Sequence, residues 1–226
     1  MRTTLCLLLA AAASFPVCAG DPAEERDRLR RAEAVLKASL QAPDRGVPKE
    51  ALERAECVGV FPGVKKAAFF VGGQGGSGLF TCRGESDAMG APAFFKIGGG
   101  SVGWQFGGQE TDLVLLVMNR DGMRYLLQDR FALGAEAAAT AGPVGRTLKA
   151  ATDAQLRAQI LSWSRSRGVF VGAALEGSSL RPDDEANERT YGEGATAEAI
   201  LLEHAMPPPL EAAEYLKALN AEAGRG

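Results

Sequence analysis

His204 is the chain's single histidine, so any Ser-His-Asp or Cys-His system must be built around it. It stands in "AILLEHAMPPP", at the end of an apolar helical run, where a histidine serves as a last-turn residue beside free carbonyls. Paired carboxylates are the other route to hydrolysis. Asp183 and Asp184 are adjacent but fall in a polar stretch, where solvated charge is the default reading, and nothing singles out a working pair. Cys57, Cys82 and His204 lack the spacing of zinc ligands. Gly73, Gly75 and Gly78 in "FFVGGQGGSGLF" spell G-x-G-x-x-G after the apolar run "KKAAFFV". A dinucleotide site needs a helix next, and an acidic residue about 20 positions on. After Gly78 the chain reads "LFTCRGESDAMGAPAFF", which has no helical period, and Asp87 comes too soon. Ser77 is no nucleophile elbow, because Leu79 stands where G-x-S-x-G needs glycine. The glycines therefore read as backbone devices in a strand–turn–strand unit, supplying unusual dihedrals or close approach. No catalytic set, metal or cofactor is expected.

Basic residues offer different chemistry. Lys65 and Lys66 follow "FPGV", Arg146 ends "GPVGR", and Arg165 and Arg167 alternate in "WSRSRG", on one side of an extended segment. Lys and Arg beside glycine-exposed amides suit a phosphate or an anionic head group. The plain alternative is a set of separate surface charges.

The elements that must carry these residues are legible from pattern. Asp21–Gln41 has Leu29, Ala32, Leu36 and Leu40 at helical spacing, with Val35 widening the stripe. Its many charges nearly cancel, which points to a solvated face over a core-facing stripe. A short helix is predicted in "PKEALERAE". From Cys57 onward come short apolar or alternating runs: "CVGVF", "AAFFV", "GLFTC", "AFFKI", "SVGWQF", "TDLVLLVM" and "MRYLLQ". "NRDG" at Asn119–Gly122 is predicted to close a hairpin between Thr111–Met118 and Met123–Gln128, within a meandering antiparallel sheet. Polar segments lead into a strand at Gly168–Leu175. "DDEANERTYG" reads as polar with turn character. Helices are predicted over Ala195–Glu203 and Leu210–Ala223, interrupted by Pro207–Pro209. The fold class is α+β: a single domain with a glycine-rich antiparallel sheet and flanking N- and C-terminal helices.

With 46% hydrophobic and 23% charged residues the chain is globular, and a net charge of −3 provides no basic field for nucleic acid. Residues 1–19 read as a signal peptide: Arg2, an apolar run from Leu5 to Ala13, then Val17 and Ala19 at the −3 and −1 positions of a cleavage site. Lipidation at Cys18 is the alternative, although "FPV" precedes it where small residues are usual. Either way the expected destination is export, to a periplasmic or envelope-associated location. Cleavage leaves Cys57 and Cys82. In an oxidising compartment they form a disulfide, or they are two buried thiols on neighbouring strands.

"CVGVFPGVKKAAFFVGGQGGSG", "GGGSVGWQFGGQETDLVLLVMN", "LGAEAAATAGPVGR" and "SRSRGVFVGAALEGSSLRPDDEANERTYG" together resemble the SYLF domain, in order and over residues 29–219. The resemblance implies a non-enzymatic lipid-binding module spanning residues 20–226. Eukaryotic members bind phosphoinositides, fungal members also bind actin, and bacterial members are exported proteins or lipoproteins. An export segment sets actin aside and makes an anionic phospholipid of the envelope the expected ligand. The alternative is a structural or partner-binding envelope protein, its partner unnamed. Motif positions that match the family are Lys65, Lys66, Gly98–Gly100, Trp104, Arg146, Arg165, Arg167 and Glu176. Lys65, Lys66, Arg146, Arg165 and Arg167 are the head-group candidates, whereas Gly99, Trp104 and Gly142 look like turn and core residues.

Overall fold

The computed structural model describes residues 22–42, 46–69, 71–102, 107–127, 131–132, 139–141, 159–166, 169–172 and 178–224. Two long strands, β1 (Cys57–Phe69) and β2 (Val71–Cys82), form an antiparallel hairpin that pairs from Cys57–Cys82 to Phe69–Val71. β3 (Ala93–Val102) pairs with β2, and β4 (Gly107–Val117) returns to the far side of β1. The sequence is therefore not threaded as a meander. β1 becomes a central strand, and its apolar residues are buried on both sides: Val58 and Val60 on one face, Cys57 and Phe61 on the other.

Beyond these four, β5 (Phe131–Ala132) pairs with β9 (Ser178–Pro182), which borders β3. On the other side β7 (Ile160–Ser166) borders β4. β6 (Ala139–Ala141) pairs with the first half of β7 in parallel, and β8 (Val169–Gly172) pairs with its second half antiparallel. β7 falls where polar segments were predicted. Its Ile160, Leu161, Ser162 and Trp163 are all buried, so alternation is lost and its strand character is hidden.

Helices cover both faces. α1 (Pro22–Gln41), α2 (Lys49–Arg54) and the last helix, α6 (Ala213–Ala223), share a core with Val58, Leu79, Phe94, Val114 and Trp163. On the opposite face α3 (Arg120–Leu126) and α5 (Ala197–Leu201) pack over Phe61, Phe80, Phe95 and Leu115. Phe80 meets Phe61 and Phe95 edge-on, with centroids 5.6 and 5.0 Å apart. The architecture is α+β, as the composition and pattern imply.

Two predicted turns are helices, each for a local reason. "NRDG" starts α3 instead of closing a hairpin: the Asn119 side chain accepts a hydrogen bond from the Gly122 amide at 2.9 Å, as an N-cap does. "DDEANERTY" forms α4 (Asp184–Tyr191). It has no apolar stripe because its inward residues are Ala186 and Asn187. The Asn187 side chain takes the Phe94 amide at 2.7 Å and donates to the Phe94 carbonyl at 3.3 Å.

The glycines of "GGQGGSG" lie within β2, not in a turn, and their φ angles are not left-handed. Close approach is the requirement that remains. A Cβ on Gly78 would sit 2.4 Å from both the Phe61 ring and the Val60 carbonyl oxygen. Left-handed backbone occurs instead at Gly63 (φ +62°), where β1 bulges between Phe61 and Val64.

Candidate functional site

On the face that carries α1 and α6, the sheet runs past these helices into a glycine-rich region, and strand register sets out a group of cations there. Ser77 lies opposite Lys96, and Lys96 opposite Arg181. The next rung reads Glu110, Lys65, Gly75, Gly98 and Ser179 across β4, β1, β2, β3 and β9, so a carboxylate stands on the outer side of Lys65. Directly opposed residues project to the same face, so these two rungs share one surface. Gly75, Ser77, Lys96, Gly98, Ser179 and Arg181 line a hollow of about 540 Å³. Lys65 flanks it one strand away. β2 and β3 are interior strands whose amides serve the sheet ladder. The glycines therefore supply a bare floor rather than the free amide donors expected from sequence. Attraction has to come from the side chains.

Lys65 and Arg181 are exposed and have no carboxylate partner among the described residues. Lys96 is anchored: its Nζ lies 2.7 Å from Asp183 Oδ1. The other carboxylate oxygen, Oδ2, accepts from Arg28 of α1 at 3.0 Å. Arg28 is 2% exposed and stacks over the Phe94 ring at 5.2 Å. Burial alone would raise the Asp183 carboxyl, but hydrogen bonds from Lys96 and Arg28 reverse this and hold it below the usual carboxylate range. Nearby, Arg189 of α4 donates to the buried Glu25 carboxylate of α1 at 3.0 and 2.6 Å. Asp183 is thus no solvated loop charge, and Arg28 and Glu25 leave the solvated face predicted for α1. The hollow's central cation is tied through one carboxylate to the first helix.

The candidates named from sequence separate. Lys65 joins the site. Lys66 pairs through its backbone with Gln74, and its side chain lies outside the described residues. Arg165 is committed to Asp112, its Nε donating at 2.8 Å. The other Asp112 oxygen accepts from the Gly63 amide at 3.0 Å, so this pair secures the β1 bulge and Arg165 is not a free cation. Arg146, Arg167, Trp104, Glu176 and Cys18, together with the cleavage region, lie outside the described residues. Cys57 and Cys82 face each other across the hairpin with sulfurs 2.01 Å apart. No metal-binding cluster occurs among the described residues.

Spacing singles out none of Lys96, Arg181 and Ser179, and it raises Ser77 and Asp183 only as catalytic groups, which they are not read to be. The cue available was the one that identified Lys65, a cation in a strand next to glycine or proline, as in "FFKIGGG" and "SSLRP".

Residues 98–222 match the family described as "Ysc84: Las17-binding protein actin regulator". The chain is 31% identical to LAS seventeen-binding protein 3 of Saccharomyces cerevisiae over 74% of its own length and 37% of that protein's. It is 28% identical to Protein YSC84 of the same organism, covering 83% of this chain and 42% of that one. With the SH3 domain-containing YSC84-like protein 1 of Xenopus laevis it shares 29% identity over 88% of this chain and 61% of that one. The chain therefore spans between about a third and two thirds of the length of these relatives.

Proposed function

The chain belongs to the Ysc84 (SYLF) family, and from that premise we propose that it is a non-enzymatic module that binds anionic phospholipid head groups at a cell-envelope membrane. The observation that carries this reading is the trio Lys65, Lys96 and Arg181 around a floor without side chains, two of them lacking a carboxylate partner among the described residues. A phosphate over Gly75 and Gly98 would have a cation on either side and the Ser77 and Ser179 hydroxyls within the hollow. Each exposed cation near an anionic surface contributes about 1 kcal/mol. The relatives bear names of binding and regulatory proteins, which supports the non-enzymatic part.

A second reading, a protein-binding role without lipid, is favoured by the family description as a Las17-binding regulator. Sedimentation of the purified chain with vesicles separates the two. Lipid binding requires co-sedimentation with phosphatidylglycerol-containing vesicles and not with pure phosphatidylcholine. Equal binding to both, or to neither, removes the head-group reading and leaves the protein-binding one.

A further inference from the structure

A larger groove lies at the other end of the hairpin, beyond the Cys57–Cys82 pair. Its volume is about 1300 Å³, and two segments face each other across it: the turn Arg83–Ala91 after β2, and residues 201–208 at the end of α5 and beyond. Met123, Leu202, Met206 and Pro207 supply apolar lining. Met206 and Leu202 are half-buried and packed against the core on one side only, and methionine adapts its shape to irregular partners.

Around this lining stand four carboxylates, Glu56, Glu85, Asp87 and Glu203, against the guanidiniums of Arg83 and Arg124. Arg83 does not reach outward. It is 7% exposed, and its nitrogens donate to the carbonyls of Ala55 and Leu52 at the end of α2 and of Ala223 at the end of α6. Glu85 and Glu203, one on each wall, are exposed and have no partner among the described residues. The walls are also held in unusual backbone: Asp87 (φ 61°) and His204 (φ 49°) are the non-glycine residues with positive φ among those described, and they stand one on each side.

We propose that this groove docks a cationic amphipathic segment of a partner protein, apolar side chains on Leu202 and Met206 and Lys or Arg against Glu85 and Glu203. Charge complementarity selects the occupant: an acidic rim over an apolar floor disfavours an anionic segment and an anionic membrane alike. The site is separate from the lipid hollow. Along β2, the step from Ser77 to Cys82 covers roughly 17 Å of strand at about 3.3 Å per residue. The two sites lie toward opposite ends of the hairpin, so a membrane and a partner can be held together.

The test uses the full chain and a synthetic 18-residue helical peptide of Leu and Lys at amphipathic spacing, with a Leu/Glu peptide of the same pattern as control, read by calorimetry. The Leu/Lys peptide is expected to bind and the Leu/Glu peptide not to. Glu85→Lys/Glu203→Lys should weaken binding at least tenfold, with an unchanged thermal midpoint and unchanged vesicle binding. The charge-matched control Glu193→Lys/Glu211→Lys, on exposed sites outside the groove, should bind as the parent does. Met206→Asp should weaken binding while both rim glutamates stay in place. No binding of the Leu/Lys peptide, equal binding of both peptides, or equal loss in the control pair overturns the proposal. So does parental affinity in the groove variant.

Discussion

Asp183 shows how neighbours change a side chain's chemistry. In sequence it is one of two adjacent acids in a polar run, and folding places it under α1 with a cation on each oxygen. Its carboxyl is held below the ordinary range, so its sign is fixed. A depressed folded value contributes stability that is present above the unfolded pKa, about 3.9, and is lost as pH falls through the folded one. Asp183→Ala should cost about 3–5 kcal/mol at pH 7, because it leaves Arg28 buried and half-paired. In denaturant unfolding measured from pH 7 to pH 2, the gap between parent and Asp183→Asn should stay constant at high pH and narrow below about pH 4. A gap that does not change with pH would show that the carboxylate's charge is not what matters. Lys65 is legible as a site residue because its charge and its glycine neighbours are adjacent in sequence. Arg165 misleads because Asp112, 53 residues away, takes its charge. Lys96 and Arg181 escape because their juxtaposition is a matter of register between β3 and β9, which spacing along one strand does not encode.

At the scale of elements, the hairpin of β1 and β2 frames both ends of the domain. Its base carries the Cys57–Cys82 bond, closing a sequence separation of 25 residues, and its far half carries Lys65 and Gly75. Reduction should lower stability by about 2–4 kcal/mol, the scale for loops of this size. Urea midpoints with and without reductant measure it. Labelling of the unfolded, unreduced chain should find neither thiol, and two labelled thiols would show that the bond is absent. α1 and the C-terminal helices are legible because each buries an apolar stripe at helical spacing. α3 and α4 are not, since a cap and an inward-facing asparagine define them, and neither leaves a periodic signal. The topology is hidden for a similar reason. β1 receives β4 instead of leaving it beside β3 alone, and no local pattern reports which strand an edge will accept.

Across the whole molecule, a net charge of −3 says nothing of where single charges stand. Lys65 and Arg181, without a carboxylate partner among the described residues, flank the glycine floor, and Glu85 and Glu203 stand on the two walls of the groove at the opposite end. The described helices pack over the apolar half of the sheet and not over its glycine half. Composition excludes a general basic field and cannot reveal such local groupings, because it sums charges over the whole chain. The most direct test of the lipid reading is the affinity of Lys65→Ala/Arg181→Ala for phosphatidylglycerol-containing vesicles, measured across a salt series. Both residues are exposed and lack a carboxylate partner among the described residues, so the fold should survive their loss with its thermal midpoint unchanged. At about 1 kcal/mol each, their removal should weaken binding about thirtyfold at low salt, and the difference should close as ionic strength rises. A folded double variant that binds these vesicles as tightly as the parent at low salt would contradict the assignment of this hollow to anionic lipid.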